Sequence, residues 1–414
     1  EVDCRDFQNS DLELVAVDEQ GTVCPAMIKT YAQVQKKFTA MVRFTAQSLP
    51  AFGARIVYLR KRGRAAPEVR SLPEDRMDTG TLAARFEREK GALTELAFAA
   101  DALDFNASTG GIGELRIHHT GDYDIDYGKE MRAWATGFTG EQDTLKPHTC
   151  DIKEYNGHRR AVIFDYRYGN SYFRQEFLFE PGADYVDVSV HGDWKEVEKY
   201  LKVHFSFDTD EPVTGFADMS YGFTADLPPN TEYGMQYFCG LRNGDRALIV
   251  ANEGRNGCRL EEDGALSLSL IRCATYPAER SDSGPFAVGY RLFGMTLAEN
   301  WVADVFRRAY EYNAHPLTYA PEFSSQQFEL SAAAASLGIE VSGVIAPALK
   351  HCEDGSGWAL RLFNPSPVTA ETPLTINASD WREATILEEP IGSVDNPDRL
   401  SFRPFEVKTV LIRK

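Results

Sequence analysis

The sequence predicts an all-β protein of antiparallel strands with one short helix, and three observations carry that expectation. Apolar and polar residues alternate with period two, as in 185–194 and 200–208, which is the pattern of strands with two unlike faces. The alternating runs are separated by turn dipeptides that tolerate positive φ, such as Gly169-Asn170 and Asp263-Gly264. One segment near 297–312 instead repeats its apolar residues at helical spacing.

In "YVDVSVHGDW", Val186, Val188 and Val190 face one way and Asp187, Ser189 and His191 the other. "YLKVHFSFD" places Leu201, Val203, Phe205 and Phe207 inward and Lys202, His204 and Ser206 outward. At about 1.5 to 3 kcal/mol per buried apolar side chain, four such residues supply on the order of 6 to 12 kcal/mol before ordering entropy, so register is strongly set. Further strands are expected at 161–168, 172–179, 246–251, 265–271 and 286–293, joined as hairpins and not as βαβ units. For the helix, Thr296 and Glu299 match a T-x-x-E capping box, Val302, Val305, Phe306, Ala309 and Tyr310 form the apolar stripe, and His315-Pro316 ends it. The Pro- and Ser-rich "LTYAPEFSSQQF" then connects to a strand-like remainder. Three units follow: an N-terminal β unit at 1–62, a central β unit at 63–318 and a C-terminal β unit at 319–414.

The 414 residues carry 44 Lys and Arg against 62 Asp and Glu, a net charge of −18, with 43% hydrophobic residues. Such a chain can build sizeable cores and is no candidate for disorder. The acidic balance disfavours nucleic acid and anionic membrane as partners. The one basic stretch, Arg60 to Arg64, lacks interleaved aromatics and is taken as a solvated linker. Seven cysteines without a C-x-x-C spacing imply scattered reduced thiols and favour a cytoplasmic setting. Two N-x-S sequons, at Asn106 and Asn377, decide nothing, and no signal peptide or membrane span is expected. The chain opens at Glu1 without Met, which suggests a piece of a longer polypeptide.

No G-x-S-x-G, phosphate loop, H-E-x-x-H or dinucleotide fingerprint occurs. His191 and Asp193 have a metal-like spacing but lack a visible third ligand, so they are expected to be surface polar residues. His118 and His119 are adjacent and cannot readily grip one ion. Carboxylate pairs such as Glu388-Glu389, or the set Asp122, Asp124 and Asp126, carry little weight in so acidic a chain. Tyr123, Tyr127, Trp134, Tyr155, Tyr166, Tyr168 and Tyr172, mixed with Asp and Arg, suit sugar rings but equally suit a β-sandwich.

The stretch "GDWKEVEKYLKVHFSFD" resembles the W-x-E-x-x-K-x-L-K-V-x-F segment in the C-terminal half of glycoside hydrolase family 38 α-mannosidases. Other blocks follow in the family's order. "SLPAFGARIVYL" precedes it, and "YGF", "ALSLSLIRCATYPAERSDSGPFAVGYRLF", "IAPALKHCEDGSGWALRLFNPS" and "LSFRPFEVKTVLI" come after it. The resemblance implies a galactose-mutarotase-like supersandwich flanked by smaller β-sandwich units. It also implies an N-terminal catalytic domain of the same polypeptide that supplies an Asp nucleophile and an H-x-D zinc site. Neither is present here, so Zn2+ is expected in that absent domain, none is expected on this segment, and this segment alone is expected to be inactive.

The family's pocket-lining D-A-W-D-I-like segment corresponds to "HTCDI". There Asp151 and Ile152 agree while His148 and Cys150 replace the first acid and the aromatic. Its YG-x-x-x-R-like segment corresponds to "YGFTADL", which keeps Tyr221 and Gly222 without the basic residue. Asp151, Tyr221 and His148 are therefore the expected substrate contacts, with an α-mannoside or oligosaccharide as substrate and a homo-oligomer as a further possibility. The alternatives are a stand-alone carbohydrate-binding or scaffolding β protein, and an epimerase or polysaccharide lyase using a His such as His191 or His204 on a solvated strand face.

Overall fold

The computed structural model describes residues 2–3, 13–18, 21–24, 26–34, 37–44, 56–62, 69–121, 133, 136–155, 159–278, 280, 282–299, 301–314, 339–376, 378, 380–393 and 399–413. The chain forms two compact units, Val69–His315, and Glu1–Glu68 with Pro316–Lys414. Asp122, Asp124, Asp126, Tyr123, Tyr127, Trp134, the connector 317–328 and Asn377 lie outside the described residues.

The central unit holds, among the described residues, two ten-stranded antiparallel sheets. The first runs in the order Gly222–Thr224, Thr214–Met219, Phe238–Asn243, Arg246–Glu253, Gly284–Thr296, Val186–Trp194, Ser171–Phe179, Arg159–Tyr168, Thr149–Tyr155, Val69–Ser71. The second runs Glu232–Gly234, Gly257–Leu260, Leu266–Arg272, Lys199–Phe205, Ile112–Gly121, Ala92–Phe98, Leu82–Glu87, Arg76–Asp78. Leu103–Asn106 pairs beside Ala92–Phe98 in it, and Gly137–Thr144 beside Ile112–Gly121. This is the expected supersandwich, and the expected hairpins close where the turn dipeptides stand, with Gly169 at φ 55° and Gly264 at φ 82°.

The sheets meet through their alternating apolar faces. Phe86 of one lies edge-on to Phe164 of the other at 6.3 Å, and Phe205 to Tyr290 at 5.6 Å. A buried Gln175 ties them together, its Nε2 donating to Gly113 O at 2.9 Å and to the Tyr290 hydroxyl at 3.0 Å. Gly113, at φ 89°, is needed there because a Cβ would fall 2.7 Å from the Phe177 ring.

The helix spans Trp301–Asn313 and buries Val302, Ala303, Val305, Phe306, Ala309 and Tyr312. It packs on the first sheet, with the Phe306 ring perpendicular to Phe238 at 4.9 Å and Trp301 on Phe216 at 5.1 Å. The expected capping box is corrected. Thr296 is the last residue of the strand Gly284–Thr296, paired with Arg246, and its N–H donates to Asp101 at 3.3 Å. Ladder pairing thus claims the residue that local pattern assigned to the helix start.

In the other unit, the described N-terminal residues form two three-stranded sheets. Arg60, Lys61 and Arg62 belong to a strand there, Val57–Arg62, paired with Glu13–Asp18, and not to a linker. The described C-terminal residues form a five-stranded and a two-stranded sheet over a core of Leu360, Leu362, Phe402, Val410 and Ile412. Cys150, Cys239, Cys258, Cys273 and Cys352 are free thiols. Among the described residues, no helix is long and apolar enough to cross a membrane.

Candidate functional site

On the strand Lys199–Phe205 the core-facing residues Leu201, Val203 and Phe205 alternate with Lys202 and His204, yet both of these polar residues are 0% exposed. The expectation of a solvated face for His204 is corrected. The cause is lateral, because neighbouring strands place Glu114, Arg116, His118, Arg259, Ser267 and Ser269 around them and Glu261 follows just beyond Gly257–Leu260. Phe138, from the adjoining Gly137–Thr144, lies over this group, 4.5 Å from the Arg259 guanidinium and 5.4 Å from Lys202 Nζ.

Buried charge is tolerated here because it is paired. Lys202 Nζ donates to Glu232 Oε2 at 2.5 Å, and Ser269 Oγ donates to Glu232 Oε1. Arg116 donates from Nε to Glu114 Oε1 at 2.5 Å and from Nη1 to Asp263 Oδ2 at 3.0 Å. Arg259 Nε lies 3.2 Å from Glu261 Oε2, while Ser267 Oγ donates to Glu261 Oε1 at 2.6 Å.

At the centre, the stacked rings of His118 and His204 bring their Nε2 atoms to 2.9 Å. They meet although their cross-strand partners in the ladder are Tyr200 and Glu114. Burial, reinforced by the positive charges of Lys202 and Arg259, pushes His118 down to about 3. Burial likewise holds His204 well below the usual imidazole range. Both rings are therefore neutral at physiological pH, with lone pairs available.

His119 serves a separate network at the sheet's flank. It engages Asp143 Oδ2 at 2.6 Å through Nε2 and Lys199 Nζ at 2.9 Å through Nδ1, and the Tyr168 hydroxyl donates to the same Asp143 oxygen at 2.7 Å. The adjacent histidines thus do not grip one ion.

Asp151, His148 and Tyr221 are all exposed. Asp151 lies on Thr149–Tyr155, with Lys153 Nζ at 3.9 Å, and His148 directly precedes that strand. Tyr221 is 66% exposed at φ 57° in the turn between Thr214–Met219 and Gly222–Thr224. Six strands separate Asp151 from Tyr221 in the sheet order, so they stand roughly 34 Å apart along the sheet at about 4.8 Å per strand. His148 and Asp151 are near in sequence but, three positions apart on an extended segment, point to opposite sides, and Tyr221 stands elsewhere.

The H-x-D pair His191 and Asp193 does not fit a zinc site. His191 is exposed, Asp193 is paired with Lys195 at 2.7 Å, and neither joins a third ligand among the described residues. A cleft of about 240 Å³ lined by Asp184, Tyr185, Arg291, Arg307, Arg308 and Glu311 offers no unmatched charge. There Arg308 pairs with Asp184, Arg307 with Glu311, and Arg291 with the nearby Asp187.

The residues that carry the sequence resemblance are largely architectural. Trp194 is fully buried, Glu196 accepts from Asn170 N and Ser171 Oγ, and the buried Asn364 clamps a loop by donating to Val368 O and Arg403 O. The model of the glycosyl hydrolases family 38 C-terminal domain matches residues 78–280, and that of the family's C-terminal beta sandwich domain matches 343–410, together more than half of the chain. The chain belongs to glycosyl hydrolase family 38.

Within this family, the chain is similar to a solved family 38 protein from Enterococcus faecalis (15% identity, TM-score 0.72), covering 98% of this chain and 53% of that one. It is similar also to an α-mannosidase from Enterococcus faecalis V583 (14% identity, TM-score 0.71), covering 98% and 51%. At such identities the likeness is one of fold, and the family 38 chain described here spans about half the length of these relatives. No curated protein matches it. The sequence places Lys202 and His204 on an outward face, pairs His118 only with His119 and does not mark Glu261, because nothing local shows that a polar strand face is covered.

Proposed function

We propose that this chain is the C-terminal β portion of a retaining α-mannosidase-like glycosidase, packing on an N-terminal catalytic domain of the same polypeptide and completing its sugar pocket. One observation carries the reading: 98% of this chain matches family 38 structures, but only about half of each of those structures is matched. The absent domain supplies the Asp nucleophile and holds Zn2+, which when bound anchors sugar hydroxyls and stabilises developing charge. This chain contributes exposed side chains, Asp151 and His148 on opposite sides of one segment and Tyr221 elsewhere, where they meet that domain or its substrate. Alone, it is silent.

Hydrolysis of an aryl α-mannoside by this chain alone, and by this chain joined to a family 38 catalytic domain, tests the division of labour. Activity confined to the joined form is expected, and hydrolysis by the isolated chain overturns it. Saturable binding of mannose oligosaccharides by the isolated chain favours a stand-alone binding module instead.

A further inference from the structure

We propose that His118, His204 and Glu261 together form a binding site for a Zn2+-like transition-metal ion. The three donor atoms belong to three different parts of the second sheet, the strands Ile112–Gly121 and Lys199–Phe205 and the residue after Gly257–Leu260, and all lie within 4.8 Å of one another. His118 Nε2 stands 2.9 Å from His204 Nε2 and 3.9 Å from Glu261 Oε1. Two imidazoles and a carboxylate are a donor set for zinc, cobalt or nickel and not for magnesium or calcium.

The imidazole pair needs only small adjustment, and the carboxylate a larger one. Tetrahedral ligands at zinc distances are about 3.3 Å apart, so the two nitrogens open by a few tenths of an ångström, while the carboxylate, whose donor atom stands 3.9 Å from His118 and within 4.8 Å of His204, swings inward by about 1 Å through its side-chain torsions. Without an ion the two imidazoles are poorly satisfied, while Glu261 is held in place by Ser267 and Arg259. One N–H is shared between two facing Nε2 atoms, Glu261 Oε1 is too far from His118 to accept from it, and His204 Nδ1 is buried without a hydrogen-bond partner. The neighbouring cations are each already paired with a carboxylate, Lys202 with Glu232, Arg116 with Glu114 and Asp263, and Arg259 with Glu261, which offsets their repulsion of an ion. The unsupported Nδ1 of His204 sets a limit on affinity, since a missing outer partner typically weakens a metal site about 10- to 100-fold.

The test is titration of the chelator-stripped chain with Zn2+, Co2+ and Mg2+, read by metal content after gel filtration and by the visible spectrum of the Co2+ form. One equivalent of Zn2+ or Co2+ is expected, with no retained Mg2+ and a cobalt spectrum free of thiolate charge-transfer bands. His204→Gln and Glu261→Gln should each weaken binding at least about 10-fold, while the exposed His191→Ala leaves it unchanged. Absence of stoichiometric binding, a thiolate signature pointing to the cysteines, or full retention in His204→Gln overturns the proposal. Should either Gln variant fail to fold, anomalous scattering from a zinc-soaked crystal of the unaltered chain decides: density between the three residues supports the site, and density elsewhere or none refutes it.

Discussion

Lys202 Nζ lies 2.5 Å from Glu232 Oε2, with the lysine side chain wholly buried and the glutamate 26% exposed. The asymmetry determines which partner can be lost. Glu232→Gln leaves an ammonium in the interior without its counter-ion, whereas Lys202→Met removes the buried charge and leaves a carboxylate that water can reach. Urea unfolding should show Glu232→Gln destabilised by about 3 kcal/mol and Lys202→Met by clearly less; equal losses would mean that the pair does not hold the lysine's charge.

Gln175 bridges the two sheets through Gly113 O and the Tyr290 hydroxyl, and its Oε1 lies 3.2 Å from the Tyr166 hydroxyl. Gln175→Leu keeps the volume but strands buried polar groups on both sheets. A loss of about 3 kcal/mol is expected by thermal or chemical denaturation, and a neutral outcome would show that water replaces the amide.

Gly192 sits between His191 and Asp193, and its place is architectural. A Cβ there would fall 2.2 Å from Tyr172 O and 2.6 Å from Phe173 Cα on the neighbouring strand, and a backbone cannot retreat as a flexible side chain can. Gly192→Ala should cost about 3 kcal/mol or abolish soluble expression, while Ser189→Ala on the same strand changes stability by about 0.5 kcal/mol at most.

Asp165 accepts two hydrogen bonds from Arg174, at 2.7 and 3.0 Å, and one from Thr149 at 2.9 Å. The Arg174 contact, ahead of the Thr149 bond, lowers its carboxyl below the ordinary value of 3.8. A depressed folded-state value means that its stabilisation is fully present above about pH 4 and is lost as pH falls through the lowered value. Asp165→Asn should therefore be less stable than the parent at pH 7 and show a shallower acid limb below pH 4 in urea midpoints measured across that range. Parallel curves for the two proteins would refute the linkage.

The hairpins were legible because each is a local matter. Alternation over Val186–Trp194 and the Gly169-Asn170 turn decide strand and reversal within a few residues. The helix was legible from its apolar stripe, but its start was not, since Thr296 is held by pairing with Arg246 some fifty residues earlier in the chain. Of the expected contacts, Asp151, His148 and Tyr221 came from family likeness, and their exposure could not be deduced from the residues themselves.

The sequence by itself determined the all-β class, the inner faces of the strands and the family, because a two-residue period and an ordered series of blocks are written along the chain. Only the tertiary structure decided that the opposite face of Lys199–Phe205 is also buried and that His118 meets His204, 86 positions away. The reason is that a strand's own pattern specifies two faces but not what lies against each. Whether a lysine or histidine on the second face meets water, a counter-ion or another imidazole is settled by the strands that pair beside it.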